Sequence, residues 1–276
     1  MNLADHAYWA DHLGEPKLVI DEQPLMDWAQ ENHIPPREAQ LEALRGGIVP
    51  LRYLKNFHSL TLAEQIRICE SRVLICGCGG LGGPLINLLA RAGVGHLRLV
   101  DGDVFVVSNL NRQWLCDTRT LGSSKAGQGE ERVRAINPLI QVESFHAILN
   151  EGNVQELMQG MDLVLDGLDN LRGRFVAADG ARRLGIPFVH AAVAGWWGQL
   201  TTFLPGSSRS LRDIYGDMEA RDRMEESMGV LGATASIIGS LEVLEALRIL
   251  AGRPPAYADR LLYFDGESGR MEMVPI

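Results

Sequence analysis

Three observations predict a doubly wound α/β fold built on a mostly parallel, Rossmann-like sheet. Short apolar runs alternate with helix-period segments between Arg72 and His190. The first run leads directly into Gly77-Cys78-Gly79-Gly80-Leu81-Gly82, which fits G-x-G-x-x-G. The second run ends on Asp101, where an acidic residue closes such a unit.

The elements follow in order. Residues 72–76 form a continuous apolar run, the pattern of a strand buried on both faces. Residues 77–83 are a glycine-rich turn, and 85–92 carry apolar residues at helical spacing. Strand 97–100 precedes a helix over 125–136, which stops before Asn137-Pro138. Strand 140–145, a helix including 153–158, strand 162–166, a helix over 172–184 ended by Gly185, and strand 187–190 complete the alternation. The rhythm then changes. Residues 199–204 alternate like an antiparallel strand, 231–250 return to helix, and 261–264 with 271–274 read as a closing hairpin. The predicted sheet therefore carries a C-terminal antiparallel extension. Residues 205–228 show no core face and read as a mobile crossover segment of the kind that often acts as a lid.

Residues 1–50 hold Pro16, Pro24, Pro35, Pro36 and Pro50 and read as an extension of small helices and turns whose role the sequence does not give. Residues 51–276 form the domain proper.

Composition excludes several classes. The chain has 276 residues, 46% hydrophobic and 22% charged, as globular proteins have and disordered or fibrous ones do not. A net charge of −9 gives no global reason to bind nucleic acid. The four cysteines, Cys69, Cys76, Cys78 and Cys116, are too few and too clustered for a disulfide framework, so a reducing, cytoplasmic setting is expected. The longest charge-free apolar stretch near the C-terminus, 229–241, is shorter than the ~20 residues a membrane span requires, and the N-terminus lacks the pattern of a secretory signal.

The glycine turn carries the first chemical expectation. Without side chains at Gly77, Gly79, Gly80 and Gly82, backbone N–H groups can approach a phosphate, and the helix behind adds about half a positive charge. Asp101, 19 residues past Gly82, can accept hydrogen bonds from ribose hydroxyls. The run Ser108-Asn109-Leu110-Asn111-Arg112-Gln113 and Lys125 fall near the same edge of the sheet. Taken singly, Arg112 fits a surface ion pair and Lys125 an exposed helix residue. Together, two cations and two amides suit a triphosphate better than a nicotinamide. In Asp166-Gly167-Leu168-Asp169-Asn170, at the end of the fourth strand, Asp169 is suited to Mg²⁺ that bridges phosphate oxygens. Asn170 fits the cap of the following helix as well as it fits the nucleotide.

These motifs stand in the order seen in the ThiF/MoeB/HesA family, bacterial relatives of ubiquitin-activating enzymes, and the chain resembles that family over about residues 50–265. The resemblance implies an adenylyltransferase that binds ATP and Mg²⁺ together with the Gly-Gly tail of a small ubiquitin-like sulfur-carrier protein. The tail carboxylate attacks the α-phosphate and releases pyrophosphate, and the acyl-adenylate is later converted to a thiocarboxylate for cofactor biosynthesis. In that setting Arg112 and Lys125 hold phosphate oxygens, Asn109 orients a phosphate or the ribose–phosphate link, Gln113 and Asn170 line the nucleotide, and Asp169 holds Mg²⁺. The family forms homodimers. Its R-Y-x-R signature appears here as Arg52-Tyr53-Leu54-Lys55, so Lys55 stands where an arginine reaches the γ-phosphate across the dimer.

The chain departs from the pattern in two further respects. It has no C-x-x-C, so no structural zinc site is expected. The crossover segment has no cysteine, so sulfur transfer is expected to fall to another protein. Trp196 and Trp197 suit either a platform for the carrier or packing, and Cys116 reads as a small hydrophobe near the Arg112 motif. Competing readings are activation of a tRNA carboxylate, an NAD-dependent oxidoreductase, and a nucleotide-gated module without turnover. The acidic balance disfavours the first.

Overall fold

The computed structural model describes residues 2–216 and 228–276. Eight strands form the main sheet: β4 (Arg72–Cys76), β5 (His96–Val100), β6 (Gln141–Phe145), β7 (Leu163–Asp166), β8 (Phe188–Ala194), β9 (Trp197–Phe203), β10 (Arg260–Asp265) and β11 (Arg270–Pro275). Their spatial order is β11-β10-β9-β8-β7-β4-β5-β6. Pairing is parallel from β6 through β8 and antiparallel from β8 to β11. The expected doubly wound sheet with an antiparallel extension is what the chain forms.

Strand β4 explains why its run is apolar throughout. Val73 and Ile75 enter one core with Leu85 of α4 (Gly82–Ala92), Val133 of α5 (Lys125–Ile136) and Val243 of α9 (Gly232–Leu250). Leu74 and Cys76 enter the opposite core with Leu157 of α6 (Val154–Met158) and Phe175 of α7 (Leu171–Leu184). Successive side chains leave a strand on opposite faces, and helices cover both, so neither face is left to water.

Element boundaries shift where tertiary pairing decides them. Helix α4 begins at Gly82, because Pro84 is tolerated in a first turn, where its missing N–H is not needed. Strand β8 runs past His190 to Ala194, since β9 pairs with it as far as Ala194↔Trp197. The hairpin turns at Gly195 and Trp196, and Gly195 takes a left-handed φ of 55°.

The N-terminal segment contains more than small helices and turns. Strands β1 (Tyr8–His12), β2 (Glu15–Ile20) and β3 (Val49–Pro50) form a small sheet beside α1 (Glu22–Glu31) and α2 (Pro36–Arg45). Proline density conceals these strands in the sequence. Pro16 lies in the hairpin ladder opposite Asp11, and Pro50 ends β3 at the edge, where a missing donor is tolerated. Val19, Leu41 and Val49 of this unit share a core with Tyr53, Phe57 and the buried Cys69 of α3 (Leu62–Glu70).

A buried polar chain joins the unit to the sheet domain. The Asn137 amide donates to the Tyr53 hydroxyl at 2.8 Å, and that hydroxyl donates to Gln40 Oε1 at 2.9 Å. Burial pushes the Tyr53 phenol far above its ordinary range, so it remains a donor at any working pH. Tyr53→Phe strands Gln40 Oε1, while the Asn137 amide keeps its bond to the Ala90 carbonyl, and is expected to lower stability by about 1–3 kcal/mol in a urea titration.

The crossover segment falls partly outside the described residues, at 217–227. Its described portion corrects the expectation of no core face. Helix α8 (Leu211–Tyr215) is capped by Ser210 and Asp213, and it buries Leu211 and Tyr215 against the α7 side of the sheet.

Candidate functional site

The carboxyl ends of β4, β5 and β7 meet at one edge of the sheet. The chain leaves β4 through Gly77, which adopts φ 95° and places its backbone against the loop after β7. A Cβ on Gly77 would stand 2.4 Å from the Gly167 carbonyl oxygen. A Cβ on Gly82 would stand 2.1 Å from the Gly77 carbonyl oxygen. These two glycines are thus required by backbone crowding. Gly79 and Gly80 sit differently. The Gln113 amide nitrogen is 3.4 Å from where a Gly79 Cβ would lie, and the Arg112 side-chain stem is 3.9 Å from the corresponding point at Gly80. The sequence pattern treats the four glycines alike, whereas the structure separates two that build the turn from two that lie beneath polar side chains.

Asp101 closes β5 and turns back to the glycine turn. One carboxylate oxygen accepts the Cys78 N–H at 2.7 Å and the other accepts the Asp103 N–H at 2.8 Å. Burial raises the Asp101 pKa, and these N–H groups and the Lys125 charge oppose that rise. Each oxygen keeps a second lone pair, so a hydroxyl ligand can still bind there.

Lys125 is neither exposed nor a free cation. It is buried at the start of α5, and its ammonium pairs with Asp103 at 2.9 Å. Sequence reasoning missed Asp103. The signal was present, because Asp103 lies two residues past Asp101 on the stretch that leads to the Arg112 motif. Arg112 is half-buried and donates through Nη1 to the Ser108 carbonyl and to Asn111 Oδ1, both at 2.9 Å. Asn109 is buried, and its Oδ1 accepts the Val106 N–H at 3.0 Å, which fixes the short turn before Arg112. Gln113 is buried, with Oε1 lacking a hydrogen-bond partner among the described residues. An orphaned amide over a side-chain-free turn is the kind of group a polar ligand satisfies.

The two aspartates after β7 have opposite environments. Asp166 is fully buried and faces inward, while Asp169 is exposed and its carboxylate accepts the Asn170 amide at 3.2 Å. Asn170 acts as the cap of α7, accepting the Gly173 N–H at 2.8 Å. One exposed carboxylate past the end of β7 could hold Mg²⁺, an ion that keeps several waters and accepts few protein ligands. The donor set at Asp169 therefore fits such an ion.

The remaining candidates lie elsewhere. Lys55 is exposed on the short 3₁₀ turn Leu51–Asn56, at the junction with the N-terminal unit. Trp196 and Trp197 are exposed at the β8–β9 turn, so burial in the core does not account for them. Cys116 is half-buried, and burial with the nearby Asp117 charge pushes its thiol up. Among the described residues no group of three His, Cys, Asp or Glu side chains could hold a metal, and no helix is long and apolar enough to cross a membrane.

A parallel sheet wound on both faces, with its glycine turn and acidic side chains gathered at the carboxyl edge, defines a protein of the doubly wound α/β class, where ligands bind at that edge. More narrowly, the chain belongs to the ThiF family, which matches residues 52–276. It is 36% identical over 213 residues to "SAMP-activating enzyme E1" of Haloferax volcanii, covering 76% of this chain and 78% of that protein. It is 34% identical over 230 residues to "Adenylyltransferase and sulfurtransferase MOCS3" of Xenopus laevis, covering 82% of this chain. The chain spans about half of the latter's length, 51%. Among solved structures it resembles E. coli MccB crystallised with ATP, with a TM-score of 0.72 at 15% identity, covering 99% of this chain and 96% of that one. That likeness establishes a shared fold.

Proposed function

We propose that this protein is an adenylyltransferase that uses ATP to activate the C-terminal Gly-Gly carboxylate of a small ubiquitin-like sulfur-carrier protein. The observation that carries the reading is the convergence of the Gly79–Gly80 turn, Arg112, the orphaned Gln113 amide and the Asp101 carboxylate at one sheet edge, with exposed Asp169 at the end of the adjoining strand. Relatives named for adenylylation and for SAMP activation support it.

The chemistry asks the site to do two things. An anionic carboxylate must approach an anionic phosphate, so charge must be neutralised and the reactants aligned. The glycine turn presents N–H groups to phosphate oxygens, Arg112, whose side-chain stem lies near Gly80, adds a planar cation, and Lys125 biases the field beside Asp101 from its pair with Asp103. Asp101 accepts the ribose hydroxyls. Asp169 would hold Mg²⁺, whose role is to neutralise charge on the pyrophosphate leaving group. The tail carboxylate forms a bond to the α-phosphorus as the bond to the bridging oxygen breaks, and pyrophosphate leaves with the electron pair. No general base is needed, because the tail carboxylate is already ionised at neutral pH.

The setting we infer is a cytoplasmic homodimer in which Lys55 reaches the triphosphate bound by the partner subunit, with residues 1–50 an extension of separate role. Lysine supplies the charge without the bidentate fork of arginine. Lys55→Arg is accordingly expected to preserve or raise the exchange rate. A large loss would assign Lys55 a different role. The product adenylate would feed sulfur incorporation into a cofactor.

ATP–pyrophosphate exchange with a Gly-Gly-terminated carrier tests the function. Exchange that requires both the carrier and its terminal glycines is the expected result. Absence of exchange with every such carrier, while ATP binds, would overturn the reading.

A further inference from the structure

Behind the edge lies a buried polar network that the adenylation chemistry does not use. Asp166, at the end of β7, has its N–H bound by Glu242 of α9 at 3.0 Å. One carboxylate oxygen accepts the Leu168 N–H at 3.0 Å. The other faces His190 Nδ1 of β8 at 2.7 Å and Arg174 Nε of α7 at 3.7 Å. Arg174 also donates to the Leu168 carbonyl at 3.0 Å. The second ring nitrogen of His190 faces the Tyr215 hydroxyl at 3.0 Å, and the Gln199 amide donates to that same hydroxyl. Asp166, Glu242 and His190 are fully buried, and Arg174 and Tyr215 nearly so.

One arrangement of the His190 tautomer satisfies all of these described contacts. Gln199 donates to Tyr215, Tyr215 donates to His190 Nε2, and His190 Nδ1–H donates to Asp166. Burial, and then the neighbouring Asp166 charge, raise the Glu242 carboxyl well above its ordinary range. Arg174 lies beside the same Asp166 oxygen that His190 faces.

Buried networks of this kind are costly, and an apolar core of the same volume is often at least as stable. What the network does here is geometric. It ties α8 of the crossover segment to the loop that starts at Asp166 and ends with the exposed Asp169. The same loop is bound to the glycine turn, since the Gly167 N–H donates to the Cys76 carbonyl at 2.7 Å and Gly167 packs against Gly77.

We infer that His190 and Tyr215 are positioning residues, which set the loop carrying Asp169 according to the placement of α8. The inference rests on the adenylation reading, and it concerns residues buried behind the sheet edge. Seating α8 through Tyr215 orders the Leu168 amide and fixes Asp169 beside the phosphate cradle.

The test pairs Tyr215→Phe with His190→Asn, whose amide nitrogen can take the place of Nδ1 but cannot reach Tyr215. Each variant is expected to lower the kcat of ATP–pyrophosphate exchange about tenfold, leaving the KM for ATP within roughly twofold. The double variant should be no slower than the slower single, because both break one link. Hydrogen–deuterium exchange of the Leu168 amide should quicken by a similar factor. A lowered melting temperature with unchanged kcat and unchanged Leu168 exchange would reduce the network to core packing and overturn the inference. If the wild-type protein shows no pyrophosphate exchange while Leu168 still responds to Tyr215→Phe, the adenylation reading fails and the mechanical link stands. Should Tyr215→Phe not fold, Gln199→Met withdraws the donor that holds the hydroxyl and serves as the milder variant with the same expected signs.

Discussion

Asp169→Ala is expected to slow ATP–pyrophosphate exchange by on the order of 10²–10³-fold, the range seen when a single charge-stabilising group is removed from a transition state. The thermal midpoint should scarcely move. Asp169 is exposed, and among the described residues its carboxylate gives up only the Asn170 amide hydrogen bond. Asn170 keeps its own role, since its Oδ1 caps α7 independently of Asp169. Activity and stability should therefore separate cleanly in this variant. ATP affinity measured with excess Mg²⁺ and again with EDTA adds a second readout. The wild-type protein should bind ATP more tightly with the ion, and the variant should show little difference. Wild-type exchange rates in Asp169→Ala would remove the metal assignment while leaving the family and fold untouched.

Gly82→Ala is expected to have the second largest effect, for a reason that lies in the scaffold. A methyl group there would meet the Gly77 carbonyl oxygen at 2.1 Å and its carbonyl carbon at 2.8 Å. Backbone atoms cannot rotate aside as a flexible side chain can. The glycine turn must therefore move off α4, and with it the Gly77–Gly167 contact. Overpacking of this severity costs about 1–3 kcal/mol or more, and ATP affinity should fall at least roughly tenfold because the N–H groups lose their alignment. Gly79→Ala is the informative control. Its nearest neighbour is the Gln113 amide at 3.4 Å, at the end of a side chain. That variant should fold normally and lose ATP affinity alone, read by isothermal titration beside a urea transition. Equal loss of stability in both variants would mean that the turn does not divide into scaffold and ligand-facing glycines.

Much of this architecture is legible in the amino-acid sequence. Strand β4 is apolar at every buried position because both of its faces are covered, and that leaves a continuous run that cannot be mistaken for an amphipathic element. The glycine spacing, Asp101 and the Asp166–Asn170 motif mark the carboxyl edge because a crowded turn there requires backbone without side chains and these acids fall at strand ends. The small N-terminal sheet is less legible. Its strands are short, two of them contain proline, and β2 finds its second partner, β3, only far along the chain.

Local spacing and the polarity of single strands were enough to specify the doubly wound fold, and the resemblance of its motifs pointed to the family that residues 52–276 match. Folding in three dimensions settled the rest: Lys125 is held by Asp103, Gly77 serves Gly167, and Asp166 turns inward to His190 while Asp169, three residues on, faces solvent. Each of those outcomes depends on an encounter between segments far apart in the chain. A buried charge goes to whichever partner packing brings within reach, and no local pattern records that meeting.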